Sequence, residues 1–295
     1  MTNKLEGIFA ALTTPFVEDE VSIPRFEENI RKFNGTGLAG YVVLGSTGEC
    51  VSLSDAESEA LVRAARAIAA PRKTVIVGTA RESTRLTVDF TNRMADAGVD
   101  AALVRSPSYY KSRMTRDALK AHFLAVAERA RVPVLVYNIP ANTGISLEVS
   151  LVIELSAHPN IIGLKESSGN IAYLGEVIRR VPADFRYFLG SGSVFLPGLE
   201  LGACGAILAV ANAAPELCSR IHRLFREGKL DEAQKLQLDL IPLNKAIMEG
   251  TGIAGLKHAL DLRGYYGGPV RLPLLPPSET AKAEIAGLMK GLGLV

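Results

Sequence analysis

The feature that most constrains the fold of this chain is an alternation repeated eight times. Short apolar, β-rich runs at 7–14, 40–45, 74–79, 101–105, 133–138, 161–166, 185–190 and 205–210 alternate with amphipathic stretches near 23–34, 54–69, 84–97, 115–130, 147–156, 170–180, 194–201 and 214–227. Continuously apolar strands need cover on both faces, and a helix after each strand supplies it. Eight such units predict an α/β fold, a (β/α)8 TIM barrel, with a doubly wound open sheet as the alternative. Helix starts are marked by capping residues: Ser54 before Asp55-Ala56-Glu57, Ser83 before a polar turn, and Thr115 before Arg116-Asp117-Ala118. From Gly228 the strand signal stops, and 229–248, 252–263 and 278–291 read as helices. The expected organisation is a catalytic barrel over 1–227 and a C-terminal helical domain over 228–295.

Composition excludes several function classes. The 295 residues carry a formal net charge of +2 and no lysine/arginine block, which gives no reason to expect nucleic acid or a membrane surface as partner. No run reaches the roughly 20 apolar residues that span a bilayer, and Met1 to Glu6 reads as neither a signal peptide nor an anchor. Cys50, Cys204 and Cys218 are widely spaced and match no ligand pattern, so free thiols in the cytoplasm are expected. His122, His158, His222 and His258 read as surface or helix-terminal residues, away from the strand ends. Gly250-Thr251-Gly252-Ile253-Ala254-Gly255 has the glycine spacing of dinucleotide sites, but it follows a helical run rather than a strand and reads as a helix-to-helix turn.

Barrel enzymes build their sites at the C-terminal strand ends. There this chain offers Gly45-Ser46-Thr47-Gly48-Glu49, Ser106-Pro107-Ser108-Tyr109-Tyr110, Tyr137-Asn138-Ile139-Pro140-Ala141-Asn142-Thr143-Gly144, Lys165, and Gly190-Ser191-Gly192. Lys165 ends the apolar run Ile161-Ile162-Gly163-Leu164. Strict alternation puts Ile161, Gly163, Lys165 and Ser167 on one face, with Gly163 leaving room beside the lysine stem. Burial disfavours a charged amine, and a neutral one can attack a ketone to form a Schiff base. The competing reading of that segment alone is a lysine reaching off a strand end into water. An amine, tyrosine hydroxyls and a small-residue turn able to hold an anion suit carbonyl chemistry on a 2-keto acid better than metal hydrolysis or hydride transfer.

Five segments in order, Thr13-Thr14-Pro15-Phe16, Gly45 to Glu49, Tyr137 to Pro140, Gly163 to Ser167 and Leu201-Gly202-Ala203-Cys204-Gly205, resemble the pyruvate-dependent class I aldolases of the dihydrodipicolinate synthase/N-acetylneuraminate lyase superfamily. The resemblance implies that Lys165 forms the Schiff base and that Tyr137 is the acid/base. It also implies that Ser46 and Thr47 hold the pyruvyl carboxylate, with Thr47 relaying protons, and that Gly190 and Ile207 line the pyruvyl group. Tyr109 or Tyr110 matches a tyrosine that family members insert into the neighbouring subunit's site, and the extra residue Ser108 leaves that choice open. A homotetramer, a dimer of tight dimers, is implied as well, and so is chemistry that needs no metal or organic cofactor, in keeping with where the four histidines fall.

The synthases typically carry an arginine where this chain has Asn142, and an asparagine cannot clamp a carboxylate with two charged bonds. The Ala141-Asn142-Thr143-Gly144 version, Lys165 to Gly169 and the tail from Gly252 look like 4-hydroxy-2-oxoglutarate aldolases, in which Ser167 would meet the distal part of the substrate. Thr47 departs from that subgroup. The leading expectation is cleavage of 4-hydroxy-2-oxoglutarate to pyruvate and glyoxylate. Condensation of pyruvate with aspartate semialdehyde, cleavage of a 2-keto-3-deoxy sugar acid or sialic acid, and a catalytically silent keto-acid-binding barrel are the alternatives.

Overall fold

A computed structural model describes residues 5–295; residues 1–4, and the reading of the chain's start that falls on them, lie outside the described residues. Eight parallel strands close into a barrel: β1 (Gly7–Ala11), β4 (Gly40–Val43), β5 (Thr74–Gly78), β6 (Ala101–Arg105), β7 (Val134–Asn138), β8 (Ile161–Glu166), β9 (Arg186–Leu189) and β10 (Gly205–Leu208), with β10 returning to β1. Every barrel strand falls inside or on its expected run. A small hairpin, β2 (Phe16–Val17) and β3 (Glu20–Val21), was not expected and follows β1 at the rim.

The outer ring is α1 (Ile23–Asn34), α2 (Asp55–Ile68), α3 (Thr84–Asp96), α4 (Arg116–Arg129), the single turn α5 (Pro140–Thr143), α6 (Val149–Ser156), α7 (Ile171–Ile178), α8 (Phe195–Glu200) and α9 (Pro215–Arg226). The marked caps act as their chemistry requires: Ser54 forms a capping box with Glu57, and Ser83 and Thr115 accept from the N–H groups of Leu86 and Ala118. The extension holds α10 (Leu230–Lys245), a π-helical turn over Ala246–Thr251, α11 (Gly252–Leu262) and α12 (Glu279–Gly291). Buried Leu243, Ile247, Leu256, Leu260, Ile285 and Met289 join the same apolar cluster as the barrel's outer face. We propose the division at 227/228 as one of chain organisation, made in the link between α9 and α10.

Two expectations are corrected here. Register between β7 and β8 slips, Val134 facing Ile161 but Leu135 facing Gly163, so one residue bulges. Ile161 therefore packs outward against the helices, and Ile162 packs with the inner barrel cluster. Strict alternation had put Ile161 on the lysine's face. Gly163 is required for a different reason than expected: a Cβ there would lie 2.1 Å from the Arg186 carbonyl oxygen and 2.8 Å from a Leu135 methyl. The close neighbour strands need that space first.

Candidate active site

The inner barrel is apolar up to its C-terminal layer. Phe9 and Phe188 meet edge to face at 5.5 Å and, with Ile207, form a dry floor. Above it, β8 sets Lys165 opposite Tyr137 on β7 and Phe188 on β9. Lys165 is 4% exposed, and its Nζ lies 4.3 Å from the centroid of the Tyr137 ring. The lysine is thus turned inward and does not reach off the strand end into solvent.

The cavity above Lys165 encloses about 670 Å³. Ser46, Thr47, Tyr137, Asn142, Lys165, Ser167, Gly190 and Ile207 all line it. The sequence scatters these eight residues over 160 positions, and the strand ends bring them together. Serine, threonine and asparagine supply most of its polar groups, and its charged lining is one amine, Lys165, and one carboxylate, Glu249. Among the described residues no cluster of three histidine, cysteine or acidic side chains could hold a metal ion.

Each polar side chain is fixed by its own local structure. After β4, Leu44 takes the left-handed conformation (φ 58°) and turns the chain into a short 3₁₀ turn, Ser46–Gly48, which ends at Glu49, also left-handed (φ 54°). Gly78 admits that bend, since a Cβ there would lie 2.0 Å from the Leu44 carbonyl oxygen. Thr14 donates to the Gly48 carbonyl at 2.7 Å and fastens the turn to the loop after β1. Asn142 sits in α5, which Pro140 starts and Gly144 (φ 67°) ends. Ser167 packs against Gly190 so closely that a Cβ on the glycine would fall 1.8 Å from its hydroxyl.

Glu166 points away from the cavity. It accepts from the Ser168 N–H at 2.6 Å and from Asn138 Nδ2 at 3.3 Å, tying the loops after β7 and β8 together. Burial pushes its carboxyl above the usual range, against those hydrogen bonds.

Tyr109 and Tyr110 are not in this cavity. They stand on the loop after β6, 79% and 69% exposed and packed edge to face at 5.1 Å. Tyr109 lines a neighbouring recess with Cys50, Val51, Arg105, Lys111 and Asn142. Glu82 anchors this loop by accepting the N–H groups of Ser108 and Tyr109 at 2.8 and 2.9 Å. Burial would raise its carboxyl, but those bonds and Arg105 hold it below the usual range.

Sequence reasoning missed the upper wall. Asn244, Met248, Glu249, Thr251, Ile253, Leu274 and Leu275, all from the extension, close the cavity's far side. The segment expected to be a helix-to-helix turn is such a junction: the π-helical turn runs straight into α11, with Gly252 at φ 62° and ψ −144°, a region glycine alone occupies readily. The available signal was Leu272-Pro273-Leu274-Leu275-Pro276-Pro277, an apolar segment that its prolines keep out of helices. The histidine reading also needs amending. His122 lies inside α4, 5% exposed, with Nδ1 2.9 Å from the Thr84 hydroxyl; it is neither a surface nor a terminal residue.

An inward lysine above a tyrosine ring, at the C-terminal mouth of a (β/α)8 barrel, defines the barrel lyases that work through a lysine imine. The comparisons give the particular family. The Dihydrodipicolinate synthetase family profile matches residues 4–292, and the chain belongs to that family. The chain is 35% identical to 4-hydroxy-tetrahydrodipicolinate synthase of Methanosarcina barkeri over 292 residues, covering 98% of this chain and 99% of that protein. It is 37% identical to the protein of the same name from Methanoculleus marisnigri over 283 residues, covering 95% and 96%. Among solved structures, the Cyanidioschyzon merolae enzyme with lysine bound superposes with a TM-score of 0.94 at 30% identity, covering 99% of both chains. Dihydrodipicolinate synthase from Aquifex aeolicus gives 0.93 at 31%, covering 98% of both. These relatives bear the synthase's name; the expected likeness to 4-hydroxy-2-oxoglutarate aldolases is not what they support.

Proposed function

We propose that this protein is a Schiff-base-forming class I carbon–carbon lyase that handles pyruvate on Lys165. The observation that carries the reading is the buried Lys165 amine over the Tyr137 ring in a cavity lined by hydroxyls and amides. The amine adds to the ketone, the carbinolamine loses water, and the iminium accepts the electron pair released when a C–C bond breaks or a C–H proton leaves. The resulting enamine adds to an aldehyde in synthesis or takes up a proton after cleavage, and water then frees the amine. Tyr137 moves the protons of these steps with Thr47, and Ser46 and Thr47 hold the carboxylate. Tyr109 or Tyr110 enters a partner's site in a tetramer of two tight dimers, in keeping with their exposure beside Val51 (79% exposed). One structural neighbour is described as the first monomeric dihydrodipicolinate synthase variant, so assembly can vary within the family. Among the described residues no helix is long and apolar enough to cross a membrane, and we place the enzyme in the cytoplasm.

For the aldehyde, the relatives' name supports condensation with aspartate semialdehyde, as in 4-hydroxy-tetrahydrodipicolinate synthase, over cleavage of 4-hydroxy-2-oxoglutarate. One observation keeps the second reading: Asn142, Ser167 and Ser191 offer uncharged hydrogen bonds suited to the 4-hydroxyl of a hydroxylated 2-keto acid. The test is direct. Borohydride added with pyruvate should leave one reduced pyruvyl group on Lys165, and the absence of that mass would sink the mechanism. Pyruvate consumption that depends on aspartate semialdehyde, set beside pyruvate release from 4-hydroxy-2-oxoglutarate, then assigns the substrate.

A further inference from the structure

A second lysine in this chain is more deeply buried than Lys165. Lys257 on α11 and Glu49 at the end of the Ser46–Gly48 turn pair at 2.6 Å, with 1% and 0% of their side chains exposed. The Lys257 ammonium also donates to the Pro269 carbonyl at 2.6 Å and lies 4.5 Å from the Phe16 ring centroid. The other Glu49 oxygen accepts the Arg271 N–H at 2.9 Å. The Arg271 guanidinium covers the same Phe16 ring at 4.4 Å and reaches Ser52 and Glu57.

A buried ion pair adds little net stability, because desolvation offsets most of its attraction, and apolar side chains of equal volume would hold two segments together as well. What a charged pair adds is a fixed direction. Here that direction acts on a turn whose end residue is left-handed and whose Gly48 carbonyl is already held by Thr14.

We propose that Glu49 and Lys257 are positioning residues: the C-terminal extension, through this pair, holds the Ser46–Thr47 turn in the shape that receives the carboxylate of the 2-keto acid. The inference rests on the role given above to Ser46 and Thr47. Removing one charge strands the other in a dry site, so the informative variant removes both, Glu49→Gln with Lys257→Met.

The measurement is borohydride trapping of pyruvate on Lys165 across pyruvate concentrations, alongside thermal unfolding. The expected result is a folded protein whose half-saturating pyruvate rises about tenfold while labelling at saturation stays complete, the pattern of lost ground-state binding. A folded double variant with unchanged half-saturation overturns the proposal. A native protein that traps no pyruvate at all instead removes the mechanism beneath it. Hydrogen exchange on the native protein needs no variant: the Gly48 and Glu49 amides should exchange as slowly as those of Tyr41–Val43, and exchange at loop rates would overturn the proposal too.

Discussion

Lys165 and Lys257 are both buried, and their neighbours separate what each can do. Lys257 has a carboxylate and a carbonyl within 2.6 Å and is occupied in holding the turn. Lys165 has an aromatic face beneath it and an open cavity above. Lys165→Ala should therefore remove all turnover and all borohydride labelling while leaving the unfolding midpoint within about 1 kcal/mol of native, and labelling that persists would point to another lysine. Asn142, in the cavity lining, is the residue on which we propose that specificity turns. Asn142→Arg should raise kcat/KM for aspartate semialdehyde by roughly 10- to 100-fold, the value of a charge-assisted bond to its distal carboxylate. No change with that substrate would mean that position 142 does not meet the distal carboxylate.

At the scale of elements, the sequence was legible wherever a local signal sets a boundary. The caps at Ser54, Ser83 and Thr115 and the runs of β-branched residues placed helices and strands within a few positions. It failed at Ile161 and Ile162, because a bulge depends on how β8 meets β7 and neither residue differs in kind from a regular strand residue. The upper wall was hidden for a related reason: Met248, Ile253 and Leu275 carry no reactive group, and only the packing of the extension over the barrel makes them part of the site. Two glycines test this account of packing. Gly163→Ala, facing the Arg186 carbonyl, should cost roughly 1–3 kcal/mol or more in urea unfolding. Gly287→Ala in α12, where an added Cβ meets nothing within 4 Å, should instead stabilise by about 0.5–1 kcal/mol. Equal costs at both sites would refute the close approach of β9.

For the whole molecule, burial holds the His122 imidazole down at about 4, against an ordinary value of 6.5. Between those values the unfolded chain binds a proton that the native state does not. Stability is then full above about pH 6.5 and falls as the pH drops towards 4, by on the order of 3 kcal/mol. Urea midpoints from pH 7 to 4.5 should show this fall, and His122→Gln should flatten it; an equally steep variant would shift the cause elsewhere, the half-buried His222 being next in line. The pairing of Glu49 with Lys257 also has a consequence in time. The turn made early in synthesis waits for a lysine about 200 residues later. At cellular elongation rates that is roughly 10–40 s, and for a little under the last half of it the growing chain already carries Lys165 but lacks Lys257. On the proposal above, a ribosome-bound chain would thus hold free keto acids only weakly, and its affinity for them would mature as the last helices emerge.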